Sequence, residues 1–362
     1  MNLKEQNILF VSRSTQFGGT EKIIIEMCEV LISQANSITV CSFGNIDVPY
    51  LNKLGIKHYY IPDIENKSPK TIALILTVIS KIIETENITI IHSNHRMAAF
   101  YSQILSLKYK FISIATAHGI FFNKKILTKF CYRHTRLIAC GEIVKKNLIN
   151  VYRINKDEIT VIHNAVKIKE TEYKPIVDNS EKNILIGNIG RLSEEKGQIY
   201  FILSIPEIIK RHPDALFLIV GDGDDKEKLK EVAQTIGVYK YIRFLGYRED
   251  IINIISQLDI VVLTSLTEGL PLTPIEAFSQ GTPMVATRVG GTVEIVHDGE
   301  NGYLVKPKSV LEIAERINKL IEDNAIYIRF SENAKKTYEK EYSFEVFKNR
   351  IVSYYEKIGE NK

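Results

Sequence analysis

The sequence predicts an α/β protein of two doubly wound domains, each a parallel sheet covered by helices. Three observations point there. Short apolar, β-branched runs alternate with longer helix-period segments along nearly all of the 362 residues, the signature of βαβ units. The alternation breaks over the polar, proline-bearing stretch 169–182 and then restarts. The length itself exceeds what one comfortable core holds, and two domains follow.

In the first domain, residues 1–168, strands are expected at Ile8–Val11, Ser37–Ser42, Ile88–Ser93, Phe111–Thr116, Leu137–Ala139 and Thr160–His163. Helix-period segments fill many of the gaps, for example Glu21–Gln34 and Pro69–Glu84. Residues 169–182 read as the linker. In the second domain, 183–342, strands are expected at Asn183–Ile189, Ala215–Val220, Ile242–Phe244, Ile260–Leu263 and Met284–Ala286, with helices at Gln198–Arg211 and Lys226–Thr235. The tail, 343–362, is aromatic and charged at helical spacing and is expected to pack back on the first domain. Ligands of doubly wound sheets bind at the carboxyl ends of the strands, so the expected site is a cleft between the two domains.

Composition narrows the class. Hydrophobic content of 45% and charged content of 25% suit a soluble globular chain. Cys28, Cys41, Cys131 and Cys140 form no CxxC pair, which favours reduced thiols in a cytosolic protein over a disulfide frame or zinc site. No signal peptide is read at the start, and the apolar stretch Thr71–Ser80 is stopped by Lys81, too short to span a bilayer. The expectation is a cytoplasmic protein, soluble or attached to the inner face of the plasma membrane. Residues 1–168 carry 21 Lys and Arg against 12 Asp and Glu, and the rest carry 26 against 31. A basic half beside an acidic half suggests a different partner for each.

The chemistry lies in three loops. Gly18-Gly19-Thr20-Glu21 follows the first strand and opens a helix, whose N-terminal amides suit a phosphate or sugar hydroxyl; a purely structural turn reads equally well. Gly190-Arg191-Leu192-Ser193-Glu194-Glu195-Lys196-Gly197 places two cations beyond the first strand of the second domain. Arg grips a phosphate in bidentate fashion and Lys adds a compact charge. That neutralisation is what a nucleoside diphosphate leaving group requires. The third loop runs Glu268-Gly269-Leu270-Pro271-Leu272-Thr273-Pro274-Ile275-Glu276. Its prolines shape the turn, Pro274 suits the first turn of the next helix, and two carboxylates stand ready for vicinal hydroxyls.

These motifs resemble the retaining glycosyltransferases of family 4. The likeness covers nearly the whole chain and is strongest over Asn183–Val305, through Gly190-Arg191, Lys196-Gly197, Val220-Gly221-Asp222-Gly223, Phe244-Leu245-Gly246-Tyr247, the Glu268 and Glu276 pair, and Val289-Gly290-Gly291. Gly18-Gly19-Thr20-Glu21 and His118-Gly119 are similar to the family's loop and active-site histidine in the first half. The resemblance implies the GT-B fold, two Rossmann-like doubly wound domains facing a central cleft. It implies that Arg191 and Lys196 bind the donor pyrophosphate, Glu276 the ribose, and Glu268 the transferred sugar. It further implies that Gly18, Gly19, Gly190 and Gly269 shape the donor loops and that the amides of Leu270, Pro271's neighbour Leu272, and Thr273 close on sugar and phosphates. Tyr247 would line the base pocket and His118 would meet the sugar or the acceptor hydroxyl. Ala165, in His163-Asn164-Ala165-Val166, stands where the family usually has Gly.

Three further segments carry weaker signals. Asp222-Gly223-Asp224-Asp225 invites a divalent cation, but a glycine turn before a helix favours capping, so neither metal nor cofactor is expected. His92, Asn94, His95 and Arg96 follow a strand and are expected on the acceptor side. Residues 121–136 hold five basic residues, Lys124, Lys125 and Lys129 among them, no acidic ones, and large apolar groups. That is a membrane-surface pattern or a half-buried helix with solvated lysines; with no recognised module beside it, nucleic-acid binding is not expected. The resulting expectation is transfer of a hexosyl unit, with retention, from a nucleoside diphosphate sugar, UDP favoured, to a lipid-linked surface glycan. The rivals are an epimerase of related fold and a non-catalytic sugar-nucleotide or glycan-binding protein.

Overall fold

The computed structural model describes residues 2–14, 18–44, 46–168, 175–176 and 184–358. The expected linker, 169–182, lies almost wholly outside the described residues. The chain forms two compact units, one of Met1–Asn164 with Glu345–Lys362, the other of Ala165–Phe344.

The first unit alternates β1 (Asn7–Val11), α1 (Gly19–Leu31), β2 (Ser37–Ser42), α2 (Val48–Lys53), β3 (Lys57–Tyr60), α3 (Pro69–Thr85), β4 (Ile90–Ser93), α4 (Arg96–Leu105), β5 (Ile112–Ala117), α5 (Lys125–Cys131), β6 (Arg136–Ala139), α6 (Glu142–Tyr152) and β7 (Ile159–Val161). The sheet order is β3-β2-β1-β4-β5-β6-β7, and its pairings are parallel. Central β1 is apolar from Ile8 to Val11 and buried there, as a strand covered on both faces requires. The order reverses where β1 lies between β2 and β4, which is where such sheets open a ligand crevice beyond their carboxyl ends. In α3, Ser68 accepts a hydrogen bond from the Thr71 amide, Pro69 fills the first turn, and Ile75, Ile79 and Ile82 bury one face.

The second unit continues with β8 (Leu185–Ile189), α7 (Gln198–Ile209), β9 (Leu216–Val220), α8 (Lys226–Thr235), β10 (Ile242–Gly246), α9 (Ile251–Ile255), β11 (Ile260–Leu263), α10 (Leu272–Ser279), β12 (Met284–Thr287), α11 (Thr292–Ile295), β13 (Gly302–Val305), α12 (Val310–Glu322) and α13 (Asn324–Thr337). Its parallel sheet has the order β10-β9-β8-β11-β12-β13, so the reversal falls between β8 and β11. One core cluster gathers Phe201, Ile205, Phe217, Ile219, Val262, Ile317 and Phe330 between the sheet and its helices.

The last helix, α14 (Phe344–Ile358), belongs from Glu345 onward to the first unit. Phe347, Ile351 and Tyr355, four apart, are buried along one stripe. The Tyr355 hydroxyl is 2.6 Å from His92 Nδ1, and His92 Nε2 is 2.7 Å from Thr116 Oγ1.

Two strands escaped the sequence reading. Lys57–Tyr60 is an edge strand with half-buried and exposed side chains, so it carries no apolar run. Gly302–Val305 is a four-residue edge strand opening on a glycine. The expected strand Ile88–Ser93 pairs only from Ile90, and Thr160–His163 is replaced by Ile159–Val161.

Candidate functional site

In the second unit the candidate side chains are assembled at the carboxyl ends of β8 and β11. After β8 the chain turns through Gly190 and reaches Gly197 in the left-handed region at φ 61°. A Cβ there would lie 2.4 Å from the Thr264 carbonyl oxygen, so only glycine lets this loop press on the end of β11. The Leu266 amide donates to the Glu195 carbonyl at 2.7 Å, and Gln198 Nε2 donates to the Arg191 carbonyl at 2.9 Å. The first of these bonds pins the two loops together, and Lys196 Nζ meets Glu268 Oε1 at 2.7 Å. The Ser265 hydroxyl donates to the same oxygen at 2.6 Å. Glu268 is nearly buried, its side chain 8% exposed against 27% for Lys196. Arg191 stays outward, 56% exposed, with Nη2 3.3 Å from Glu195 Oε2.

The Glu268 turn is held from the other side by the loop after β12. Gly290 sits at φ 47°, where a Cβ would fall 1.8 Å from the Glu268 carbonyl oxygen, and the Gly291 amide donates to the Gly269 carbonyl at 2.8 Å. The chain then passes Leu270 and Pro271 into α10. The first turn of α10 has no preceding carbonyls, so the amides of Leu272 and Thr273 lack intrahelical partners and carry the positive end of the dipole. Thr273 Oγ1 lies 3.4 Å from the Ile189 carbonyl oxygen, tying this turn to the end of β8. Glu276 follows on α10 and is buried. Two cations, two carboxylates and a helix N-terminus therefore surround one sheet reversal. Tyr247 stands beyond edge strand β10, about half exposed.

In the first unit His118 follows β5, and its Nε2 is 3.3 Å from Oδ1 of Asn94, which follows β4. Asn94 is buried, with its amide donating to the Val11 carbonyl at 2.8 Å. Burial, reinforced by the neighbouring His95, pushes His118 down to about 4, so its ring is neutral at neutral pH. His95 caps α4, its Nδ1 accepting from the Met97 amide at 3.1 Å. Burial holds it at about 4 against the pull of Glu65, whose Oε1 lies 3.7 Å from Nε2. Gly18 and Gly19 open α1, but the Gly18 amide is taken by the Glu21 carboxylate at 3.1 Å. Glu21 is buried, which raises its pKa.

His92 departs from expectation. It lies inside β4, fully buried between Tyr355 and Thr116, because the strand runs on through Ser93 and His92 is not beyond its end. Burial pushes it down to about 3. Arg96 Nη1 reaches Asn123 Oδ1 and Thr128 Oγ1, both at 3.3 Å, and the guanidinium covers the Phe121 ring. Those contacts brace the basic segment, where Lys124 immediately precedes α5 and Lys125 and Lys129 lie on it. Phe122 and Ile126 are 73% and 88% exposed. Asp222 makes the expected turn, accepting from the Gly223 amide at 2.8 Å and pairing with Lys226 at 2.9 Å, whereas Asp225 makes no side-chain cap. Among the described residues, no three His, Cys, Asp or Glu side chains group to hold a metal, and no helix is long and apolar enough to cross a membrane.

His92, His95 and His118 set an acid limit. The unfolded chain binds their protons below pH about 6.5 while the folded one does not, so stability is full above that pH and falls as pH drops toward 4 and then 3. Each contributes a slope of about 1.4 kcal/mol per pH unit within its window. Urea unfolding of the protein between pH 7 and pH 4.5 is expected to show this loss, and His92→Gln is expected to flatten it. An unchanged slope in that variant counts against the assignment.

Sequence reasoning missed Ser265, since a lone serine carries no pattern; only the fold places its hydroxyl on Glu268. It named Asn94 and His118 without seeing that they touch.

The chain matches the family described as Glycosyl transferases group 1 over residues 169–337 and that described as Glycosyltransferase Family 4 over residues 17–170. Among similar proteins, a subunit of the human phosphatidylinositol N-acetylglucosaminyltransferase is 29% identical over 323 residues, 84% of this chain and 66% of the relative. A glycosyltransferase of Methanocaldococcus jannaschii is 28% identical over 238 residues, 62% of this chain and 60% of its own length. The chain thus spans slightly under two thirds of these two relatives. The Escherichia coli UDP-Gal:alpha-D-GlcNAc-diphosphoundecaprenol alpha-1,3-galactosyltransferase is 26% identical over 341 residues, 86% of each chain. Two solved structures share the fold, each with TM-score 0.86. They are a glycosyltransferase from Rickettsia africae, at 23% identity over 99% of this chain and all of its own, and Anabaena HepE in complex with UDP-glucose, at 22% over 98% and all of its own. With two family matches running from residue 17 to residue 337 and a doubly wound sheet in each unit, the chain belongs to the group 1 glycosyltransferases of GT-B fold.

Proposed function

We propose that this glycosyltransferase moves a hexosyl unit, with retained anomeric configuration and without a metal, from a nucleoside diphosphate sugar to a lipid-linked surface-glycan acceptor. A UDP-sugar is the favoured donor. The observation that carries the reading is the Lys196–Glu268 pair at 2.7 Å, beside Arg191 and the N-terminus of α10. A diphosphate is met there by two cations and a helix dipole, and a sugar by two carboxylates. Arg191 and Lys196 neutralise the leaving diphosphate as its bond to the sugar breaks. Glu268 accepts from sugar hydroxyls and Glu276 from the ribose, while Tyr247 lies against the base. Gly18 and Gly19 let the backbone approach the donor, and His118 meets the sugar or the acceptor hydroxyl. For attack on the face from which the nucleotide departs, the leaving phosphate oxygen takes the acceptor's proton. A neutral His118 suits this, since it need not hold that proton. HepE with UDP-glucose and the galactosyltransferase acting on a diphosphoundecaprenol substrate, by their names, support the donor and acceptor classes.

Two experiments test the reading. Thermal shifts are measured against a panel of nucleotide sugars, since a ligand of the folded state raises Tm. The donor that stabilises is then incubated with a lipid diphosphate sugar acceptor, with and without chelator, and the product anomer is read by NMR. An inverted product, or a requirement for divalent cation, sinks the mechanism; conversion of the donor without acceptor would favour an epimerase.

The basic, apolar segment 121–136 supports attachment to an anionic membrane surface at the cytoplasmic face, near the lipid acceptor. Exposed Phe122 and Ile126 would enter the headgroup region while Lys124, Lys125 and Lys129 attract the charge. Replacing the three lysines by Gln is expected to cut binding to vesicles rich in anionic lipid at least tenfold, at about 1 kcal/mol per cation. Equal vesicle sedimentation of the variant and the parent chain would overturn it.

A further inference from the structure

We propose that Asn94 is a positioning residue that fixes His118 as the tautomer protonated on Nε2, leaving Nδ1 as the acceptor that receives a substrate hydroxyl. The inference deepens the functional reading of His118 and rests on it. Its geometry is local to the ends of β4 and β5. Asn94 is buried and anchored through its own amide to the Val11 carbonyl on central β1. Its side-chain nitrogen lies 3.5 Å from the carbonyl oxygen of His92. A carbonyl only accepts, so that side of the carboxamide must be the NH2 group and the other side must be Oδ1. Rotating the amide by half a turn would set oxygen against oxygen.

The His92 carbonyl is itself in a fixed place. It belongs to β4, whose imidazole is held from both sides by Tyr355 and Thr116. Oδ1 is thereby committed to His118, 3.3 Å from Nε2. An amide oxygen carries no proton, so the contact is a hydrogen bond only when Nε2 donates. Among the described residues His118 makes no other side-chain hydrogen bond, and Asn94 decides the tautomer. Burial keeps the ring neutral, so the remaining nitrogen carries a lone pair. His118 therefore meets the acceptor or sugar as a hydrogen-bond acceptor and orients its O–H.

The test reads the tautomer directly. The full chain is labelled with 15N-histidine, and imidazole two-bond correlation spectra are recorded at pH 7, with His118 assigned through His118→Gln. The expected wild-type signal is the Nε2–H form. Asn94→Leu is expected to lose that preference and to lower kcat about tenfold or more, with donor KM little changed. Asn94→Asp still offers an acceptor to Nε2, but its second oxygen faces the His92 carbonyl and its charge favours the doubly protonated ring, so it is expected to recover little of kcat. A wild-type ring protonated on Nδ1, or an Asn94→Leu spectrum unchanged from the parent, overturns the role of Asn94 whatever the activity. A tautomer that shifts as expected while kcat holds overturns instead the placing of His118 in the reaction.

Discussion

Lys196→Ala is expected to lower kcat by about 10²–10³-fold, the usual effect of removing one preorganised group that stabilises developing charge. The ammonium stands 2.7 Å from Glu268, and the Lys196 carbonyl accepts from the Thr264 hydroxyl at 3.3 Å. Arg191 is too exposed to replace it. The same change leaves Glu268 nearly buried with only the Ser265 hydroxyl of its two named partners, and a buried carboxylate stripped of its cation destabilises the fold. Stability and turnover can be separated by Lys196→Ala combined with Glu268→Gln. The double variant is expected to recover much of the lost Tm, because no charge is left unpaired, and to recover none of the turnover. If the double variant regains activity with its stability, Lys196 acts through folding and its assignment to the diphosphate is wrong.

Gly290→Ala is expected to be nearly as damaging to activity, although residue 290 lies in a separate loop. Its Cβ would occupy space 1.8 Å from the Glu268 carbonyl oxygen, and φ 47° is a conformation that alanine adopts at a cost. Neither atom belongs to a flexible side chain, so backbone must move. The turn that moves carries Glu268 and leads into the first turn of α10. A displacement of about 1 Å in positioning groups costs on the order of 100-fold in rate. Calorimetry and kinetics on the same preparation check it. Gly299→Ala is the control, since it shares a positive φ but a Cβ there meets nothing within 4 Å. Equal behaviour of the two variants would show that strain alone, not the Glu268 contact, sets the effect.

These expectations divide by where their information lies. The two doubly wound units were legible because buried parallel strands must be apolar on both faces: Ile8–Val11, Ile260–Leu263 and Leu216–Val220 announce themselves. Edge strand Lys57–Tyr60 did not, since its side chains are half-buried or exposed, and Gly302–Val305 did not because it is only four residues long and opens on a glycine. Of the site, Arg191, Lys196, Glu268 and Glu276 could be named from loop residues alone, because each follows a recognisable strand and a glycine or proline turn.

Local pattern thus settles which segments are strands and which loops carry charge, as it depends only on neighbours in the chain. Contacts between residues 72 apart, such as Lys196 with Glu268, have no such local trace. The fold alone decides that these two form a pair, that Ser265 holds the carboxylate, that Asn94 faces His118, and that His92 is a core residue bound to Tyr355 from the far end of the chain. The reason is geometric: sheet order brings together the ends of strands distant in sequence, and a hydrogen bond depends on fractions of an ångström that spacing does not encode.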